Sequence, residues 1–311
     1  MKMQLPASTL ANIRPPDKTN YQYFQVLKEK PFAQNPGFDL VNAWRLCEFA
    51  LIAYADKAFV EQQTQGLKAL GYSIDSEGTT ETEYLFVSGP ADVMVVFRGT
   101  EIDNFWGSVS DWLTDFKIHL RKDNHGNRIH EGFTAALNLI WGSLEARVKE
   151  VTARNKSMRV WLTGHSLGAA LATLAGYRAS VNGAFDVHAV YTYGSPRVGD
   201  EGFKNHFVTS GLDKRTFRFR NNTDIVTRVP PFPDYFHVGQ SQFIDNSGHV
   251  HLNTEPPSES GITAVATAIS EVIHLVPCLL PGADQTLPAP GAIADHGPTF
   301  YAMHLFNGLG G

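Results

Sequence analysis

The sequence predicts an α/β fold, a mainly parallel central sheet with helices on both faces. Three observations carry that prediction. Short β-branched and aromatic runs alternate along the chain with longer helical ones, the order that builds strand–helix–strand crossovers. One run, Val93-Met94-Val95-Val96-Phe97, is unbroken apolar, as in a strand covered on both sides. The stretch from Val160 to Ala172 reads as strand, sharp turn and helix, with Gly164-His165-Ser166-Leu167-Gly168 at the turn.

The elements follow in order. Residues 1–38, with Pro6, Pro15, Pro16, Pro31 and Pro36, read as an arm wrapped on the body, and 39–311 as one domain. Leu40, Ala43, Trp44, Cys47, Leu51 and Tyr54 recur at three and four, the spacing of an amphipathic helix. A second helix runs to Gly71, a natural stop. Runs 83–87 and 93–97 flank Ser88-Gly89-Pro90-Ala91-Asp92, a hairpin signal. Phe133, Leu137, Ile140 and Leu144 line one side of a helix over 133–151. Met158 to Thr163 suits a buried strand, and the Ala- and Leu-rich 169–181 a helix. A strand at 189–193, a helix at 200–210 and strands at 216–220 and 237–244 come next. A helix over 262–275, a proline-rich loop over 277–294 and a short helix over 298–306 close the chain.

Composition narrows the function classes. Of 311 residues, 43% are hydrophobic and 18% charged, enough to bury a substantial core. The net charge of −5 gives no basic footprint for nucleic acid and no electrostatic pull towards anionic membranes. Cys47 and Cys278 are not spaced as metal ligands, so the reading contains no metal and no cofactor; two buried thiols are expected over one disulfide. The most apolar run, 262–280, is interrupted by Ser270, Glu271, His274 and Pro277 and reads as a packed helix, with no transmembrane segment. Residues 1–6 lack the apolar core of a signal peptide, which leaves the compartment open between secreted and cytoplasmic.

The chemistry starts from the turn. A serine at the tip of so tight a strand–helix junction sits in strained backbone, and its neighbours two residues away must lack bulk, which Gly164 and Gly168 provide. A serine hydroxyl is a weak nucleophile until a base, usually a carboxylate-oriented histidine, takes its proton. On this architecture the chain order is Ser, Asp, His. Among the later aspartates, Asp224 follows the 216–220 strand, where an orienting carboxylate belongs; the competing use is a turn cap after Asn221-Asn222. The later histidines are His237, His249, His251, His274, His296 and His304. His237 reads as a sheet residue, and His165 as packing beside the turn. The backbone N–H of Leu167, next after the serine, is the expected oxyanion donor.

Six stretches in order together resemble the fungal-type lipases, the class 3 triacylglycerol lipase family. They are Phe97-Arg98-Gly99-Thr100, Asp111-Trp112-Leu113-Thr114-Asp115, His130-Glu131-Gly132-Phe133, the Ser166 turn, Tyr193-Gly194-Ser195-Pro196-Arg197-Val198-Gly199, and the run from Asn222 to Pro231. The resemblance covers roughly residues 40–305. It implies an α/β-hydrolase fold and hydrolysis of acyl esters through Ser166, Asp224 and His296, the last chosen because Asp295-His296 with the later Tyr301 resembles the family's catalytic element. It also implies Thr100 as the second oxyanion donor, and favours secretion. The expected partners are an acylglycerol or other lipid ester and a lipid–water interface. A feruloyl esterase or phospholipase A1 would keep the same three residues; a peptidase or an inactive lipid-binding protein would be different classes. Two departures stand out: the segment between Thr100 and Asp111 is long, and so is the gap from Asp224 to His296.

Ile102, Phe105, Trp106, Val109 and Trp112 recur at three and four, with Asp103, Asn104, Ser108, Ser110 and Asp111 largely elsewhere. Gly99 and Gly107 give the backbone places to bend. A mobile lid near 101–113 is therefore expected, apolar side towards the acyl pocket when closed and towards lipid when open. A fixed core-packed helix is the competing reading.

Overall fold

Val93, Val95 and Phe97 pack on one side of the central sheet, while Met94 and Val96 pack on the other. A strand with period-two side chains and apolar residues on both faces must be covered twice. The computed structural model describes residues 2–25, 32, 37–99, 119–230, 233–256, 284 and 286–310. The expected lid at 101–113, Thr100, Cys278 and the 262–275 helix lie outside the described residues.

Three helices come first: α1 (Leu40–Ile52), α2 (Lys57–Gln63) and α3 (Gln65–Ala69). Asp39 caps α1 by accepting from the Asn42 N–H at 2.9 Å. The single helix expected up to Gly71 is broken at Thr64, and the chain leaves α3 through Gly71 at φ +86°. Strands β1 (Ser73–Gly78), β2 (Glu83–Ser88) and β3 (Asp92–Phe97) form an antiparallel meander. A separate two-stranded ribbon joins β4 (Leu120–Lys122) to β5 (Arg128–His130). Then come α4 (Glu131–Arg154), β6 (Arg159–His165), α5 (Leu167–Asn182), β7 (Ala189–Tyr193), α6 (Glu201–Thr209) and β8 (Thr216–Asn221). The chain closes with β9 (Gln240–Ile244), β10 (Val250–Leu252), α7 (Gly291–Ala294) and α8 (Pro298–Gly308).

Among the described residues eight strands form one sheet in the order β1-β2-β3-β6-β7-β8-β9-β10. Strands β3, β6, β7, β8 and β9 run parallel, with antiparallel pairs at both edges. One core cluster joins α1 and α8 to Trp161, Tyr191 and Phe219; the other joins α4, α5 and α6 to Val160, Leu162 and Val190. This is the predicted architecture. Two details differ from expectation. The 237–244 strand begins only at Gln240, because Gly239 turns at φ +79° and the His237 Nε2 is tied to the Thr227 carbonyl at 2.6 Å. The edge strand β1, largely exposed, carries the polar sequence Ser-Ile-Asp-Ser-Glu-Gly and has no apolar signature to betray it.

The N-terminal residues pack on the body. Leu10, Ile13, Tyr21, Tyr23 and Phe24 are buried. The Leu10 N–H donates to the Leu287 carbonyl at 3.0 Å, and the Ala289 N–H to the Ser8 carbonyl at 2.8 Å. Cys47 is a buried free thiol in α1. No helix among the described residues is long and apolar enough to cross a membrane.

Candidate active site

Ser166 stands between β6 and α5 with φ +58° and ψ −124°, a backbone region that non-glycine residues rarely occupy. The surroundings enforce it. A Cβ at Gly164 would strike the Gly168 carbonyl, and one at Gly168 would strike the Phe97 carbonyl oxygen. Strand and helix therefore approach as closely as the turn's sequence implied. The Ser166 N–H donates to the Tyr193 carbonyl at 3.0 Å, fixing the turn to the end of β7. Leu167 is the first residue of α5, where backbone N–H groups have no acceptor inside the helix. Such a terminus favours a developing negative charge.

Asp224 lies in the turn after β8, fully buried. Its carboxylate accepts from the His296 Nδ1 at 2.9 and 3.0 Å, from the Tyr301 hydroxyl at 2.6 Å and from the Val226 N–H at 2.9 Å. Burial works to raise this carboxyl, but the His296 ring and the donated hydrogen bonds outweigh it and hold the group below the usual aspartate value. The turn-cap use and the orienting use coincide: one oxygen caps Val226 while both face His296. His296 itself follows α7 and is buried. With a carboxylate at Nδ1, that nitrogen carries the proton and Nε2 becomes the basic one.

The end of β7 joins the serine to this pair. Gly194 follows Tyr193 at φ +59°, and a Cβ there would come within 2.8 Å of His296 Nδ1 and 2.9 Å of Asp224 Oδ2. Only glycine fits between.

His165 is not a base. Its ring lies 4.5 Å from the His296 ring, and its Nε2 donates to the His296 carbonyl at 2.7 Å. A carbonyl can only accept, so Nε2 holds the proton and Nδ1 accepts from the Tyr54 hydroxyl at 3.0 Å. Burial, with the His296 charge beside it, keeps this imidazole well below its ordinary pKa and neutral. In the sequence Tyr54 marks only a helix face. Tyr301 stands out there by its spacing from His296, and its hydroxyl reaches the Asp224 carboxylate. Burial and the Asp224 charge raise the Tyr301 hydroxyl well above its usual pKa, so it stays a donor.

The other described histidines are engaged elsewhere. His251 pairs with Asp245 at 2.8 Å, and His249 lies 3.8 Å from the same carboxylate. His304 sits on α8 beside Gly248. His274 lies outside the described residues. No group of His, Cys, Asp and Glu among the described residues is arranged to hold a metal.

Comparison with known proteins points the same way as the geometry. Residues 94–233 match the family described as Lipase (class 3). A lipase from Rhizomucor miehei is 33% identical over 162 residues, which is 50% of this chain and 42% of that protein. Phospholipase A1-II 6 from Oryza sativa subsp. japonica is 38% identical over 111 residues, 32% of this chain and 27% of that one. The chain thus spans less than half the length of either relative. The solved Rhizomucor miehei lipase propeptide complex superposes with a TM-score of 0.58 over 80% of this chain and 81% of that one, at 24% identity, a likeness of fold.

Proposed function

We propose, from the match of residues 94–233 to the class 3 lipase family, that the chain is a serine carboxylic ester hydrolase acting first on acylglycerols. One observation carries the reading. The strained Ser166 is tied through Tyr193 and Gly194 to a buried, hydrogen-bonded Asp224–His296 pair.

The reaction follows from the roles. Ser166 Oγ attacks the ester carbonyl carbon while His296 Nε2 takes the hydroxyl proton. Asp224 keeps Nδ1 protonated and steadies the imidazolium. The carbonyl oxygen, now an oxyanion, is met by the Leu167 N–H at the start of α5 and, by the family resemblance, by Thr100. As the carbon–oxygen bond breaks, His296 returns its proton to the departing alcohol. The acyl group remains on Ser166. A water, deprotonated by the same nitrogen, releases the carboxylic acid and restores the serine. The lid near 101–113 belongs to this proposal through its apolar spacing of Ile102, Phe105, Trp106, Val109 and Trp112, which suits a lipid–water interface.

The test is an activity profile across p-nitrophenyl acetate to palmitate, methyl ferulate, tributyrin and phosphatidylcholine, with organophosphate labelling of Ser166. Highest turnover on tributyrin and a jump past its solubility limit are expected. Preference for phosphatidylcholine or methyl ferulate would move the assignment to phospholipase A1 or feruloyl esterase. No labelling and no turnover would leave a lipid-binding protein.

A further inference from the structure

The two loops that carry Asp224 and His296 are far apart in sequence, and a polar clasp joins them. Asp295 Oδ2 accepts three hydrogen bonds from the Asp224 side: Asn222 Nδ2 at 3.0 Å, the Thr223 N–H at 3.0 Å and the Thr223 hydroxyl at 2.6 Å. The Asp295 carbonyl accepts a fourth, from Asn221 Nδ2 at 3.0 Å. A fifth runs between backbones, from the Ile225 N–H to the Ala292 carbonyl at 3.2 Å. Asn222 holds φ +36°, a left-handed conformation that the clasp helps to pay for.

We infer that Asp295 is a positioning residue that sets the Asp224–His296 hydrogen bond by clasping residues 221–223 to the chain segment immediately before His296. The placement supports this in a way the chemistry of the pair does not require. Asp295 touches neither the His296 ring nor any atom that would react. Its side chain lies one residue before the base and its three donors lie one and two residues before the orienting carboxylate, so any slack in the clasp enters the Asp224–His296 distance directly. From the other side, His165 holds the His296 carbonyl, so the base is gripped through backbone atoms on both flanks. Half-burial raises the Asp295 carboxyl, and the donors from Thr223 and Asn222 pull against that rise.

The inference rests on the ester-hydrolase reading for its kinetic arm, and its spectroscopic arm is independent of turnover. Asp295→Ala removes the acceptor of all three side-chain bonds of the clasp. A kcat lowered roughly 10- to 100-fold is expected, because small misplacements of reacting groups are costly, with KM close to wild type. In the proton NMR spectrum of resting protein, the downfield resonance of the proton shared by His296 Nδ1 and Asp224 should broaden or vanish. Thr223→Val removes one donor from the opposite side and should give a smaller loss of the same kind. Because both act through one clasp, the double variant should be no worse than Asp295→Ala alone. Additive losses, an unchanged kcat, or an unchanged downfield resonance in Asp295→Ala would each overturn the inference. If instead wild-type protein shows the resonance while Ser166→Ala retains full turnover, the hydrolase reading fails and the clasp stands.

Discussion

Asp224 and Glu48 are both fully buried, each with a cationic or potentially cationic partner, and they behave in opposite ways. Asp224 receives His296, Tyr301 and Val226. Glu48, on α1, receives a matching set: Arg45 at 3.0 Å, the Tyr21 hydroxyl at 3.2 Å and the Phe24 N–H at 2.7 Å. Burial is the largest influence on both. At Asp224 the partners win and the carboxyl lies below its usual value; at Glu48 burial wins and pushes the group up to about 7. The partners explain the difference. His296 faces both Asp224 oxygens, and the Tyr301 hydroxyl donates to one of them. Arg45 reaches one Glu48 oxygen while its guanidinium also lies 4.1 Å from the centre of the Trp44 ring, which shares its charge. The same kit of groups makes a permanent orienting anion in one place. In the other it makes a latch between α1 and the N-terminal arm that titrates near neutrality.

The largest expected effect breaks the first pair. Asp224→Asn, His296→Ala and Ser166→Ala should each lower ester turnover by about 10⁴-fold or more, since such residues act as a unit. Thermal unfolding should still show a folded protein, and His304→Ala should keep its activity. Turnover at a tenth of wild type in His296→Ala would assign the base elsewhere.

Breaking the second pair should spare the chemistry and cost stability. Glu48→Ala leaves the Arg45 charge buried without its carboxylate, a loss of about 3–5 kcal/mol by denaturant unfolding. Turnover per folded molecule should not change. The pH dependence sharpens the contrast. With its folded pKa raised from 4.5 to about 7, Glu48 contributes stability that is fully present below about pH 4.5 and lost as pH rises through about 7. The shift corresponds to roughly 3 kcal/mol. Glu48→Gln should flatten that part of the stability curve between pH 5 and 8. Asp224 runs the other way: its folded pKa is depressed, so its contribution is present above its unfolded value and lost as pH falls through the folded one. A wild-type curve that rises steadily from pH 5 to 8, unchanged in Glu48→Gln, would erase the difference between the pairs.

The smallest effect tests why Asp224 stays charged. Tyr301→Phe removes one of its donors, at a cost of about 1.5–3 kcal/mol for a hydrogen bond to a charged group. A kcat lowered roughly 10-fold is expected, with the acid limb of the pH–rate profile moved to higher pH as Asp224 becomes easier to protonate. An unmoved acid limb would mean that His296 and the Val226 N–H suffice.

How much of this was legible depended on distance along the chain. The Ser166 turn could be read directly, because its constraint is local: the two glycines and the strained φ all lie within five residues. Strands β3, β6 and β7 were legible because double coverage requires apolar runs, and β8 because Phe217 and Phe219 alternate with arginines. Asp224 followed from chain order. His296 needed order and family resemblance together, since six histidines follow Asp224 and nothing local distinguishes them. Tertiary structure alone decided the rest. Tyr54 meets His165 across 111 residues, Tyr301 meets Asp224 across 77, and Asp295 meets Thr223 across 72. The spacing of Leu40, Ala43, Trp44 and Cys47 marked one apolar face of α1, yet Arg45 and Glu48 are buried too, because Tyr21, Tyr23 and Phe24 of the arm cover the polar side. A sequence pattern records which faces must avoid water. It carries no record of which polar side chains another segment will cover, because their hydrogen bonds exist only once distant parts of the chain have met.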